Sequence, residues 1–127
     1  MVQFCLGNSR EIPAFKSIMR KISDENQMQF YDRSTDTHPE LTSLAAYNDN
    51  VPLNDQTVNI NAQHGDDFSF KAGNLGMPTD QIVIGFHGED LKAARAFAVS
   101  AVEKLSTRWT IKEVGSGKEA FPLKNCD

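Results

Sequence analysis

Two histidines and three carboxylates, His64, Asp66, Asp67, His87 and Glu89, have the types and spacing from which a reactive cluster can be built. Imidazole and carboxylate together suit zinc or another first-row metal, or an acid/base pair. Gathering them takes an up-down-up run of three antiparallel strands, because the turn after the first strand then falls on the same edge as the end of the third. The same residue types also serve at turns and helix starts as caps and solvated ends. The expectation is therefore no metal, with His64, Asp66, His87 and Glu89 as the candidates were one bound. The third histidine, His38, precedes Pro39 and reads as a turn residue. Nucleophilic catalysis needs a serine or cysteine beside a base, in local signatures that the chain lacks. The glycines at 73–76 and 115–117 have neither a phosphate-loop lysine nor dinucleotide spacing, and read as turns. The residues thus point away from an enzyme and imply no cofactor.

Charge is distributed more tellingly. Between Ser34 and Phe70 stand six acids, Asp36, Glu40, Asp49, Asp55, Asp66 and Asp67, with no lysine or arginine, in a chain of net charge −4. If these side chains share a face, they attract a basic protein and repel nucleic acid. Tyr47, Val51 and Leu53 lie within the segment and supply apolar anchors of the kind that interfaces set inside a charged rim. The candidate partner-binding set is therefore Asp36, Glu40, Tyr47, Asp49, Val51, Leu53, Asp55, Asp66 and Asp67. Nucleic-acid binding would need a basic stripe, and membrane-surface binding a strongly basic helix face with bulky anchors; neither pattern is present.

The elements that must position these residues follow from periodicity. Ile12, Phe15, Ile18, Met19 and Ile22 recur at helical spacing, predicting a helix over 9–26 with Ser9 or a nearby residue as its cap, Pro13 in its first turn and Lys16, Arg20 and Lys21 exposed. A strand is expected over 28–33, a short helix over 40–47 and a surface loop over 48–55. The period then becomes two: Val58, Ile60 and Ala62, then Phe68, Phe70 and Ala72, then Ile82, Ile84 and Phe86, predicting three antiparallel strands. Leu91, Ala94, Phe97, Ala98, Ala101, Val102 and Leu105 form the stripe of a second long helix, and residues 109–114 alternate as a final strand. The fold class is α+β: a mostly antiparallel sheet of about five strands with two long amphipathic helices on one face.

At 127 residues the chain has the size of a single domain, 1–127, and no apolar run reaches the roughly 18–20 residues that a membrane span requires. Cys5 and Cys126 are the only two cysteines and stand near opposite ends. A bridge between them would close nearly the whole chain, remove about 4–5 kcal/mol of unfolded-state freedom and need an oxidising compartment. Two reduced, unrelated thiols are the alternative. The N-terminal residues do not read as a secretory signal, so an envelope location supposes that one was removed; otherwise the expectation is cytoplasmic.

Cys5, the helix opening at residues 8–15, the strand at 28–34 and the segment at 72–76 resemble small exported bacterial proteins, among them immunity proteins that neutralise secreted antibacterial effectors. The resemblance implies a periplasmic or envelope protein of an effector–immunity pair, and brings no binding residue with it. Taken with the acidic segment, the expected function is non-catalytic inhibition of a basic effector enzyme. The alternatives are a small metal-dependent enzyme using His64 and His87, and an envelope accessory domain holding a small ligand between helix and sheet.

Overall fold

A computed structural model describes residues 1–34, 52, 55–74 and 80–113. The chain begins with a strand, β1 (Val2–Cys5), and a 3-10 turn (Ser9–Glu11) that leads into α1 (Ile12–Glu25). Strand β2 (Gln29–Asp32) is followed, further along, by the meander β3 (Asn59–His64), β4 (Phe68–Gly73) and β5 (Gln81–His87), then α2 (Leu91–Ser106) and β6 (Lys112–Glu113). Among the described residues the strands form one six-stranded sheet in the order β2-β3-β4-β5-β1-β6, every neighbouring pair antiparallel.

Alternation assigns the two faces. Phe4 pairs with Ile82, Val2 with Ile84, Ile84 with Ala72, Ala72 with Ile60 and Phe70 with Ala62, so the buried apolar side chains of four strands point the same way. Both helices cover that face. Phe15 of α1 meets Phe4 edge-on at 5.7 Å, and Phe97 of α2 lies 5.2 Å from Phe68, 6.1 Å from Phe70 and 6.0 Å from Phe86. Each fully buried large side chain contributes about 1.5–3 kcal/mol by leaving water, and this layer accounts for most of the core.

Helix α1 buries Ile12, Phe15, Met19 and Ile22 at three- and four-residue spacing, as the sequence predicts. Its start is braced by Asn8, whose side-chain oxygen accepts the Arg10 amide at 2.6 Å and whose carbonyl accepts the Glu11 amide. Lys16, expected on the exposed side, is buried, because it directly follows Phe15 on the edge of the stripe that faces β2. The helix ends with the Met28 amide on the Ser23 carbonyl at 2.9 Å and the Gln27 amide on that of Asp24 at 3.2 Å. This reciprocal closure places Gln27 in the left-handed region, φ 52°.

Helix α2 is capped by Asp90, whose carboxylate accepts the Ala93 amide at 3.0 Å. Phe97, Ala101 and Leu105 are buried along it, whereas Leu91, expected in the same stripe, is 79 % exposed because it is the first helical residue and stands beyond the packed layer. The strand expected over 109–114 is shorter. The Trp109 amide still bonds back to the Leu105 carbonyl at 2.9 Å, so the chain is turning there and, among the described residues, Lys112–Glu113 alone joins β1 from this segment. Trp109 instead closes the core against Phe4 and Phe15, with its indole N–H donating to the Leu6 carbonyl at 3.3 Å. The expected helix at 40–47 and most of the loop at 48–55 lie outside the described residues.

Candidate functional site

The tight turn between β3 and β4 meets the lead into α2. The amide of Glu89 donates to the Asp66 carbonyl at 3.0 Å, and that of Asp90 to the Asp67 carbonyl at 3.2 Å. Gly88 makes the approach possible: a Cβ there would stand 2.8 Å from the Phe68 Cα and closer still to the Asp67 carbonyl oxygen, so no side chain fits. Asp66, Asp67, Glu89 and Asp90 therefore occupy one exposed corner of the molecule, and the exposed Leu91 follows directly. The N-terminal end of α2 has its positive dipole end here, which favours carboxylates at this position.

His64 and His87 reach the same end of the sheet on opposite faces. His64 pairs with Phe68 on the helix-covered side and stacks on its ring, with centroids 5.1 Å apart and planes at 1°. Its Nδ1 stands 3.3 Å from the Asp67 carboxylate. His87 pairs with Ser69 on the uncovered side. The strand pleat thus keeps the two imidazoles from a common ion, and among the described residues no group of three histidine, cysteine, aspartate or glutamate side chains is arranged to hold a metal. Glu89 remains at the acidic corner.

Asp55 lies before the start of β3, so the length of that strand, on the order of 20 Å, separates it from Asp66 and Asp67. It acts instead on a pair joining the buried Lys16 to the more exposed Asp32. The Lys16 ammonium stands 3.4 Å from the Asp32 carboxylate. Burial pulls Lys16 below the ordinary lysine value, a pull that Asp32 and, more weakly, Asp55 oppose. Burial alone would raise Asp32, but the Ser34 hydroxyl and amide together with Lys16 outweigh it and hold the carboxyl below its usual range. Asp36, Glu40, Tyr47, Asp49, Val51, Leu53 and Cys126 lie outside the described residues, and the pairing of Cys5 lies there with its proposed partner.

The sheet face turned away from the helices is a second polar surface, which the sequence showed only as the polar halves of alternating strands. Its side chains stand in rows across the strands: Gln29, Gln63, Ser69 and His87; then Tyr31, Asn61, Lys71 and Gly85; then Asn59, Gly73 and Val83. Arg33 extends the last row, its amide donating to the Asn59 carbonyl at 2.8 Å and its guanidinium lying 5.5 Å from the Tyr31 ring centre. Two shallow depressions of about 410 and 300 Å³ open on this face and share Asn59, Lys71 and His87. Gly73 and Gly85 contribute no side chain to the smaller one, which gives it its depth.

Among the described residues no helix is long and apolar enough to cross a membrane. The chain matches no protein-family model, no curated protein and no solved structure.

Proposed function

We propose that this chain is a non-catalytic binding protein, an immunity protein of the cell envelope that inhibits a secreted antibacterial effector by docking a basic surface of that enzyme. The observation that supports the reading is the corner where Asp66, Asp67, Glu89 and Asp90 gather beside the exposed Leu91. Protein interfaces combine an apolar anchor, which loses its water on contact, with a charged rim that steers encounter and sets orientation. Leu91 has the exposure of such an anchor and the four carboxylates the charge of such a rim. Asp90 is already committed to capping α2, so Asp66, Asp67 and Glu89 carry the electrostatic part. Asp36, Glu40, Tyr47, Asp49, Val51, Leu53 and Asp55 belong to the same proposal as further contacts, and export to the envelope accounts for a Cys5–Cys126 bridge.

Co-purification with the product of the adjacent gene tests the reading. Retention of that enzyme by the wild-type chain, its loss in Leu91→Ala combined with Asp67→Lys, and inhibition of its activity are the expected results. An enzyme that neither binds nor is inhibited overturns it.

A further inference from the structure

Among the described residues, the sheet face turned away from α1 and α2 differs from the acidic corner in charge. In a chain of net charge −4, no carboxylate stands among the described residues that line either depression on that face, whereas Arg33, Lys71 and His87 all contribute. Around these side chains stand three amides, Asn59, Asn61 and Gln63, and the Ser69 hydroxyl. Each amide carries both donors and an acceptor, and a hydroxyl group does both through one atom.

The backbone narrows the choice of ligand. Strand β3 pairs with β2 and β4, and β4 with β3 and β5, so the main chain beneath the depressions is already engaged in sheet hydrogen bonds. A peptide strand adds to a sheet through free main-chain groups at an edge, which this surface does not offer. A protein surface would need apolar anchors, and among the described residues the outward side chains lining the two depressions are polar except for Val83. What fits is a ligand recognised by side chains alone, rich in hydroxyls that both donate and accept, and bearing negative charge for Lys71 and Arg33.

We infer that this face binds an acidic oligosaccharide, with Asn59, Asn61 and Gln63 meeting the sugar hydroxyls and Lys71 and Arg33 meeting its carboxylates. The site is separate from the acidic corner, and neither proposal depends on the other. Gly85 keeps the smaller depression open: a Cβ there would stand 3.2 Å from the His87 Nε2.

Titration of the isotope-labelled chain with trigalacturonate, followed by amide and side-chain shifts, tests this directly, with maltotriose and triglutamate as comparison probes. Trigalacturonate is expected to shift the Asn59, Asn61, Lys71 and His87 resonances and to bind roughly tenfold more tightly than either comparison probe, as charge-assisted hydrogen bonds imply. The exposed changes Lys71→Gln and Arg33→Gln should each weaken it by a similar factor while leaving the remaining spectrum in place. The inference is overturned if trigalacturonate does not bind, if its shifts map away from this face, if either comparison probe binds as tightly, or if both variants bind it unchanged.

Discussion

The carbonyl oxygen of Asp67 occupies the space that any side chain on Gly88 would need. That contact holds the β3–β4 turn against the start of α2, and the Glu89 and Asp90 amides complete it by donating to the carbonyls of Asp66 and Asp67. Local chain geometry thus brings two separate pairs of acidic residues to one place. The strand register, which sets His87 opposite Ser69, sends the neighbouring imidazole to the other face.

Replacing Gly88 with alanine should accordingly destabilise the fold by about 2–3 kcal/mol, the range for forcing a methyl group into closed space. For a domain of this size that is a fall in Tm of about 6–12 °C. Thermal unfolding followed by the fluorescence of Trp109, which is buried and the only tryptophan, reads the change. The same variant should weaken partner binding at the corner through displacement of the turn.

A change at the end of α1 should act in the opposite direction. Gln27 holds a left-handed conformation, φ 52°, that costs a residue with a Cβ roughly 1–2 kcal/mol. Gln27→Gly should stabilise the chain by about 0.5–1 kcal/mol, the greater unfolded-state freedom of glycine offsetting part of the gain. Urea unfolding at neutral pH measures it, and Gln27→Ala should show no such gain.

The Lys16–Asp32 pair sets a pH response. Because the folded Asp32 carboxyl lies below its ordinary value of 3.8, its stabilising contribution is complete above that pH and is lost as pH falls through the lower folded value. Lys16 is shifted below 10.5, so the unfolded chain holds that proton more tightly and folding becomes more favourable as pH rises through the interval just under 10.5. Asp32→Asn should cost about 1 kcal/mol at pH 7, because the buried Lys16 ammonium loses its nearest carboxylate while solvent screens the exposed Asp32 side of the pair. Urea unfolding of both proteins from pH 2.5 to 7 should show the difference narrowing toward the acid end.

The proposed Cys5–Cys126 bridge predicts that the intact mass rises by two hydrogens on reduction and that alkylation without reductant labels neither thiol. Cys5→Ser should then lower stability by about 4–5 kcal/mol, since the closed loop spans nearly the whole chain.

Periodicity made much of the fold readable. Ile60 and Ala62, Phe70 and Ala72, and Ile82 and Ile84 alternate strictly because one sheet face packs against α1 and α2 and the other is turned away from them, and Phe15, Met19 and Ile22 repeat because α1 lies on that packed face. Strand β1 is not announced by local pattern, although Val2, Phe4 and Leu6 alternate with Gln3 and Cys5. Four residues with no turn of their own specify a strand only through the neighbours they pair with, and β5 is nearly eighty positions away in the chain. Lys16 was misplaced for a related reason: nothing near it in sequence announces Asp32 on the facing strand. The polar sheet face was visible as Asn59, Asn61, Ser69 and Lys71 one by one. Their assembly into rows depends on register, which no single strand encodes.

The acidic corner is tested most directly by the association rate of this chain with the enzyme encoded beside it, measured against ionic strength for the wild type and for Asp66→Lys with Asp67→Lys. The account predicts a wild-type rate that falls steeply as salt rises, and a variant at least about tenfold slower at low salt with most of that dependence gone. Equal rates and equal salt slopes for the two proteins would contradict it.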